Sequence, residues 1–252
     1  MKELEPLVTE LQENPEVLSI VLVGSGARGE MDDHSDLDLH VLVRGERPPD
    51  RLFYALERLV SVSFMDCDHQ ERIFTHPRAA LWGIQTTRQA HLLYDPEGWY
   101  ATLQTRARAF RWAQVEQSAS LEVSQLLAGY AEEAHKILGG LECGLFEKAI
   151  YAAQGMWTGM ADVCCLARGA FIETENRRWS TVRNAEPDKL WGELLWRVLG
   201  MNDELLATRG VAAAQLYVRS VALYGSHLTP EHALVAHKAA ARVTRFLSIG
   251  QP

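Results

Sequence analysis

Asp36 and Asp38 stand two apart in "HSDLDLHV". Two is the side-chain period of a β-strand, so both carboxylates point to one face while Leu37 and Leu39 point to the other. Like charges held that close repel each other and lose hydration beside an apolar strand, and a divalent cation removes both costs. Oxygen ligands with room for water suit Mg²⁺, and two such ions can clamp the attacking and leaving oxygens of a phosphoryl displacement. Just upstream, Gly24 and Ser25 close an apolar run. There the backbone N–H groups and the Ser25 hydroxyl can meet phosphate oxygens without an intervening Cβ, and Arg28 adds a fork-shaped cation. Phosphates on one side and metal on the other is the chemistry this spacing implies.

Two other readings of the same stretch fail. Gly24, Gly26 and Gly29 spell GxGxxG, and Glu46 follows at a suitable distance, as in a dinucleotide-binding unit. That unit needs a full crossover helix after the third glycine, and residues 30–36 are too few and too polar to form one. An EF-hand on Asp32, His34 and Asp36 would need a glycine where Leu37 stands and a glutamate at the twelfth position, which is Val43.

The elements that must position these residues follow from periodicity. Leu4, Leu7, Val8 and Leu11 keep helical spacing until Asn14-Pro15, and Val17–Val23 then reads as a strand. Leu37–Val43 reads as a second strand. Asp50 can cap a helix carrying Leu52, Ala55, Leu56 and Leu59, and Val60–Met65 gives a third strand. A short helix over 78–84 and a strand over 91–94 lead to the turn Asp95-Pro96-Glu97-Gly98, the expected domain boundary. From Ala101 to Ser248 the chain is helical in pattern. There Val123, Leu126, Leu127, Tyr130, Ala134, Ile137, Leu138 and Leu141 share one helical face, with glycines 139, 140 and 144 ending it. Thr229-Pro230-Glu231 opens a last helix to about Leu247. The expected fold is α+β, a sheet domain over 1–98 followed by an all-α helical bundle domain over 99–252.

Composition narrows the partners. The 252 residues carry a net charge of −8, against a long nucleic-acid backbone and in favour of a small or cationic substrate. No apolar run approaches a membrane span and the first residues have no apolar leader core, so no membrane and a cytoplasmic location are expected. Four cysteines, Cys67, Cys143, Cys164 and Cys165, have neither metal-site nor disulfide spacing and read as reduced, buried thiols. His227, His232 and His237 are spaced around a helix and read as surface residues, and Arg177 and Arg178 of "TENRRWSTV" as solvated.

"GSGARGEMDDHSDLDLHV" resembles the signature of the DNA polymerase beta-like nucleotidyltransferase superfamily: a Gly-Ser pair, an Ala-Arg-Gly extension and, after a spacer, an Asp-x-Asp strand. A sheet half followed by a helical half is similar to the kanamycin and lincosamide nucleotidyltransferases. The resemblance implies that Gly24 and Ser25 hold a nucleoside triphosphate, that Arg28 assists its phosphates, and that Asp36 and Asp38 bind two Mg²⁺ ions. It implies a third acid on the third strand. "VSVSFMDCD" has serines where an embedded acid would stand, which leaves Asp66 as the expected third metal ligand, ahead of Asp68. If neither reaches the metals, only one ion binds firmly. In the antibiotic-modifying relatives a glutamate of the helical half acts as base, and Glu133 or Glu132 in "YAEEAHK" is the candidate here, beside the ordinary reading of an i,i+4 pair with Lys136.

The expected activity is Mg²⁺-dependent transfer of a nucleoside monophosphate, AMP from ATP in such enzymes, to a hydroxyl of a small molecule such as an aminoglycoside-like antibiotic, releasing pyrophosphate. Antibiotic resistance is one role this implies. Two rivals stand beside it: an antitoxin-type enzyme that AMPylates proteins, and a nucleotide-binding module without turnover.

Overall fold

The run Val17–Val23 is apolar at six of seven positions, and all seven are buried, as only a central strand can be. In the computed structural model, which describes residues 4–55 and 57–249, this strand is β1 of a five-stranded sheet. The others are β2 (Leu37–Val43), β3 (Arg51–Ala55), β4 (Arg58–Met65) and β5 (His91–Tyr94), in the order β3-β4-β2-β1-β5. β2 and β4 run parallel, and the remaining pairs are antiparallel. The fold is α+β, with a helical region after the sheet.

The two faces of the sheet have different company. Leu37, Leu39, Val41 and Val43 alternate onto one face, where they join Val60, Val62 and Phe64 under Leu4, Val8 and Leu11 of helix α1 (Glu5–Gln12). On the other face Leu18, Val21, Val23 and Leu42 pack with Ala90, Tyr100 and Leu103. Helices α3 (Cys67–Thr75), α4 (Pro77–Gln89) and α5 (Trp99–Ala109) belong to this sheet unit, and a five-residue helix, α2 (Gly24–Arg28), follows β1 directly.

Three expectations change. The segment after Asp50 is the edge strand β3, not a helix: Arg51, Leu52, Phe53 and Tyr54 pair with Val62, Ser61, Val60 and Leu59 of β4. Leu56, assigned to that helix, lies outside the described residues. Asp50 caps nothing; its Oδ1 accepts the Phe64 amide at 2.9 Å. Asp50→Ala leaves that donor unpaired and is expected to lower unfolding free energy by about 1–2 kcal/mol in denaturant titration. The turn at 95–98 leads into α5 without leaving the sheet unit, because Tyr100, Leu103, Ala107, Phe110 and Val115 are buried in that unit's clusters. By compactness the chain divides into Met1–Val115 with Phe171–Glu175, and Glu116–Ala170 with Asn176–Pro252.

In the second unit the single face read over Val123–Leu141 belongs to two helices, α6 (Glu116–Gly129) and α7 (Ala131–Glu142). The break comes at Tyr130, whose ring occupies the space a side chain at Gly159 would need. Gly159 lies in α8 (Phe146–Arg168), a helix lined on its buried side by Ala149, Ala152, Ala153, Met156 and Met160. Helices α9 (Arg178–Ala185), α10 (Lys189–Leu199), α11 (Leu206–Tyr224) and α12 (Pro230–Ile249) complete it, the last opening at Pro230 as expected. His227 and His232 are tied to Ser120 and Ser124 of α6 at 3.0 and 2.8 Å. Arg178 is paired with Asp162 instead of being solvated. Of the cysteines, Cys164 and Cys165 are buried, with burial pushing their thiols up to about 11 and about 12, while Cys67 and Cys143 are exposed. Among the described residues no helix is long and apolar enough to cross a membrane.

Candidate active site

The pairing register lays the sheet face opposite α1 out as a grid. Asp38 on β2 lies beside Val23 of β1 on one side and Ser61 of β4 on the other, and Ser61 in turn faces Leu52 of β3. One step toward the start of β2, Asp36 falls in the row of Leu59 and Tyr54, which pair with each other. One step the other way, His40 pairs with Ser63. Residues directly opposite in adjacent strands share a face. Asp36, Asp38 and His40 therefore point the same way, each about 7 Å along the strand from the next.

The glycine turn abuts this row. Gly24 has φ +64°, and a Cβ there would stand 2.6 Å from Asp38 Oδ2. A side chain at position 24 is thus excluded twice, by backbone conformation and by the carboxylate. The helix α2 that begins at Gly24 ends on Gly29, also left-handed, and the Glu30 amide bonds back to Ser25 O at 3.0 Å. Arg28 is largely covered, its side chain 12% exposed, and its Nε holds Glu30 Oε2 at 2.8 Å.

The electrostatics fit a cation. Burial pushes the Asp38 carboxyl above the ordinary carboxylate range, Asp36 adds to the push, and Arg28 opposes both. His40 is pushed down to about 4, first by burial and then by His69, with Asp50 opposing, so its imidazole is neutral at neutral pH. The donor set fits a divalent ion of the Mg²⁺ kind, which takes one or two carboxylates and completes its shell with water and substrate phosphates. Among the described residues no group of three or more His, Cys, Asp or Glu side chains is placed to hold a metal ion.

The register sets Asp66, the expected third ligand, apart from the pair. Asp66 lies five positions beyond Ser61, the neighbour of Asp38, which is about 16 Å along the strand. Its parity is that of Val62 and Phe64, on the α1 side of the sheet. Its carboxylate instead caps α3, Oδ1 accepting the His69 amide at 2.6 Å. The positions that do flank the carboxylates on β4 are Ser61 and Ser63. Asp66→Ala is accordingly expected to lower stability by about 1 kcal/mol through loss of the cap and to leave turnover unchanged, which parallel denaturation and activity assays will read.

Glu133 belongs to the second unit, where its carboxylate takes Lys136 Nζ at 2.8 Å and Glu132 takes the same ammonium at 2.9 Å. Both acids hold Lys136 well above the usual lysine range. His40 was not among the sequence candidates, although extending the same period of two by one step finds it. Leu52 and Tyr54, 68% and 81% exposed on the same face, were missed because their segment reads as a helix.

Residues 4–74 match the nucleotidyltransferase domain family. The match spans α1 to α3 and so contains every residue of the grid and the glycine turn. A nucleotidyltransferase-like protein from Exiguobacterium sibiricum 255-15 shares the fold over 97% of this chain and 79% of its own, with a TM-score of 0.55 at 16% identity. No curated protein matches the chain. The nucleotidyltransferase domain supports nucleotidyl transfer as the activity and a transferase as the class of enzyme.

Proposed function

We propose that the chain transfers a nucleoside monophosphate, AMP from ATP, to a hydroxyl of a small molecule, with Mg²⁺ held by Asp36 and Asp38. The observation that carries this is the contact geometry at Gly24: a turn stripped of its side chain directly against a half-buried carboxylate of an Asp-x-Asp strand. Gly24 and Ser25 offer amides and a hydroxyl to the triphosphate, and Arg28 stabilises the oxygens on which charge builds. A hydroxyl attacking the α-phosphorus in line forms the new P–O bond as the bond to the bridging oxygen breaks, and pyrophosphate leaves with that electron pair. When bound, the divalent cation supplies charge neutralisation at the phosphate oxygens. For the base, Asp66 is out of reach; Glu133 remains the candidate, and Glu133→Gln then lowers kcat with KM held.

The serines at positions 61 and 63 favour a second reading, a nucleotide-binding module without turnover. Incubation with each α-labelled nucleoside triphosphate, Mg²⁺ and a panel of hydroxyl-rich small molecules, aminoglycosides included, separates the readings. Label on a small molecule with one pyrophosphate per transfer supports the proposal. Label on protein points to an AMPylating enzyme of the antitoxin kind, and tight triphosphate binding with no pyrophosphate points to the module.

A further inference from the structure

Within the second unit, α7 and α12 flank a groove of about 640 Å³. α12 contributes Lys238, Arg242 and Arg245 to its wall, at positions i, i+4 and i+7. That spacing sets the three on one side of the helix, in a row about 10 Å long. A fourth cation stands beside them. Gly139, also in the wall, has no side chain, and a Cβ there would lie 3.3 Å from Lys148 Nζ. Glu142 is the one acid among the described residues of the wall, and Leu138, Phe246 and Ile249 are its apolar part.

Lys136, elsewhere on α7, is held by two glutamates, whereas the side chains of Lys148, Lys238, Arg242 and Arg245 pair with no carboxylate among the described residues. Like charges four apart on a helix destabilise it. The helix dipole favours cations in the last turn of a helix, and α12 has none there, so the dipole does not account for the row. From His232 to Pro252 the sequence has no Asp or Glu, in a chain with 33 of them. A row of unpaired cations is stabilised by a row of anionic charge, and a guanidinium fork takes two oxygens of one phosphate. We propose that the groove binds a linear oligophosphate, with successive phosphate groups against Lys238, Arg242 and Arg245. A nucleic-acid strand fits less well. It would run past the groove onto the surface of a chain with net charge −8, where repulsion reaches about 8 Å at physiological salt. This site is separate from the carboxylate pair and does not rest on the activity proposed above.

Calorimetric titration of the full chain with sodium tripolyphosphate, in the absence of divalent metal, tests this. One tripolyphosphate per chain is expected to bind, with a Kd of about 0.1 mM. The double variant Lys238→Gln, Arg242→Gln changes two exposed positions and is expected to weaken it at least about tenfold. Relief of the like-charge row leaves that variant no easier to unfold, which thermal unfolding run beside it reads. ATP, also without metal, distinguishes two sources of the same chemistry. Binding equal to or weaker than that of tripolyphosphate assigns the groove to a free oligophosphate, and tighter binding assigns it to the phosphate tail of a nucleotide whose base lies against Phe246. No heat at about a hundredfold above that Kd overturns the proposal. So does a Kd unchanged in the double variant, which would place the anion at the glycine turn. A Kd at least about tenfold lower for a short single-stranded oligoribonucleotide than for tripolyphosphate overturns it in favour of a nucleic-acid surface.

Discussion

Asp38→Asn is expected to cut nucleotidyl transfer about a thousandfold and at the same time to make the chain harder to unfold. The two effects share one cause. In the folded chain Asp38 is half buried and next to Asp36, and both raise its carboxyl above the unfolded value. A group raised in this way contributes stability at pH below its unfolded value and loses it as pH rises through the folded one, so at neutral pH the ionised Asp38 is a burden on the fold. The amide removes that burden, with an expected gain of about 1 kcal/mol in denaturant unfolding at pH 7 and a smaller gain at pH 4. Transfer falls by about a thousandfold, equivalent to about 4 kcal/mol of transition-state stabilisation, because the cation's ligand is gone. Added Mg²⁺ is expected to separate the two effects again: held by the carboxylate pair as proposed, it would raise the unfolding temperature of the wild type and leave that of the variant unchanged.

Gly24→Ala is expected to fail for a reason local to the site. The substitution forces a Cβ onto a residue at φ +64°, at a cost of about 1–2 kcal/mol. It also sets that Cβ 2.6 Å from Asp38 Oδ2, so the carboxylate must turn away. A displacement of about an ångström at a reacting centre costs on the order of 100-fold in rate, and that is the loss expected for transfer. Gly29→Ala is the matched control. It has φ +68° and nothing within 4 Å of the added atom, so it should share the loss in stability and keep transfer within a few-fold. Thermal unfolding and initial rates on the two variants side by side read both effects.

The carboxylate pair and its turn were legible because they are local. A period of two in a strand and a glycine before a polar bend need no partner to be recognised, and β1 and β2 form at the residues the pattern marks. What was lost depends on pairing. "DRLFYALERL" places Leu52, Ala55, Leu56 and Leu59 at helical spacing. Yet β4 offers a free edge, and ladder bonds to it outweigh a weak helical preference. The third ligand failed at the same strand. Asp66 sits one residue past the end of β4, where the amide of a following helix is the nearest donor, and aspartate is a preferred N-cap. Counting parity from Ser61 would have placed it on the α1 side. In the helical unit, apolar periodicity ran unbroken across Tyr130, since both α6 and α7 bury apolar residues on either side of it; the break falls just after Gly129, at a residue whose ring packs against Gly159, a contact distant in sequence.

Mn²⁺ titration followed by electron paramagnetic resonance, with a non-hydrolysable nucleoside triphosphate present, measures the cation site itself. The wild type should bind one ion per chain at the site, Asp38→Asn should lose it, and Asp66→Ala should bind as the wild type does. Undiminished Mn²⁺ binding in Asp38→Asn, or its loss in Asp66→Ala, would contradict a cation held by the two carboxylates of β2.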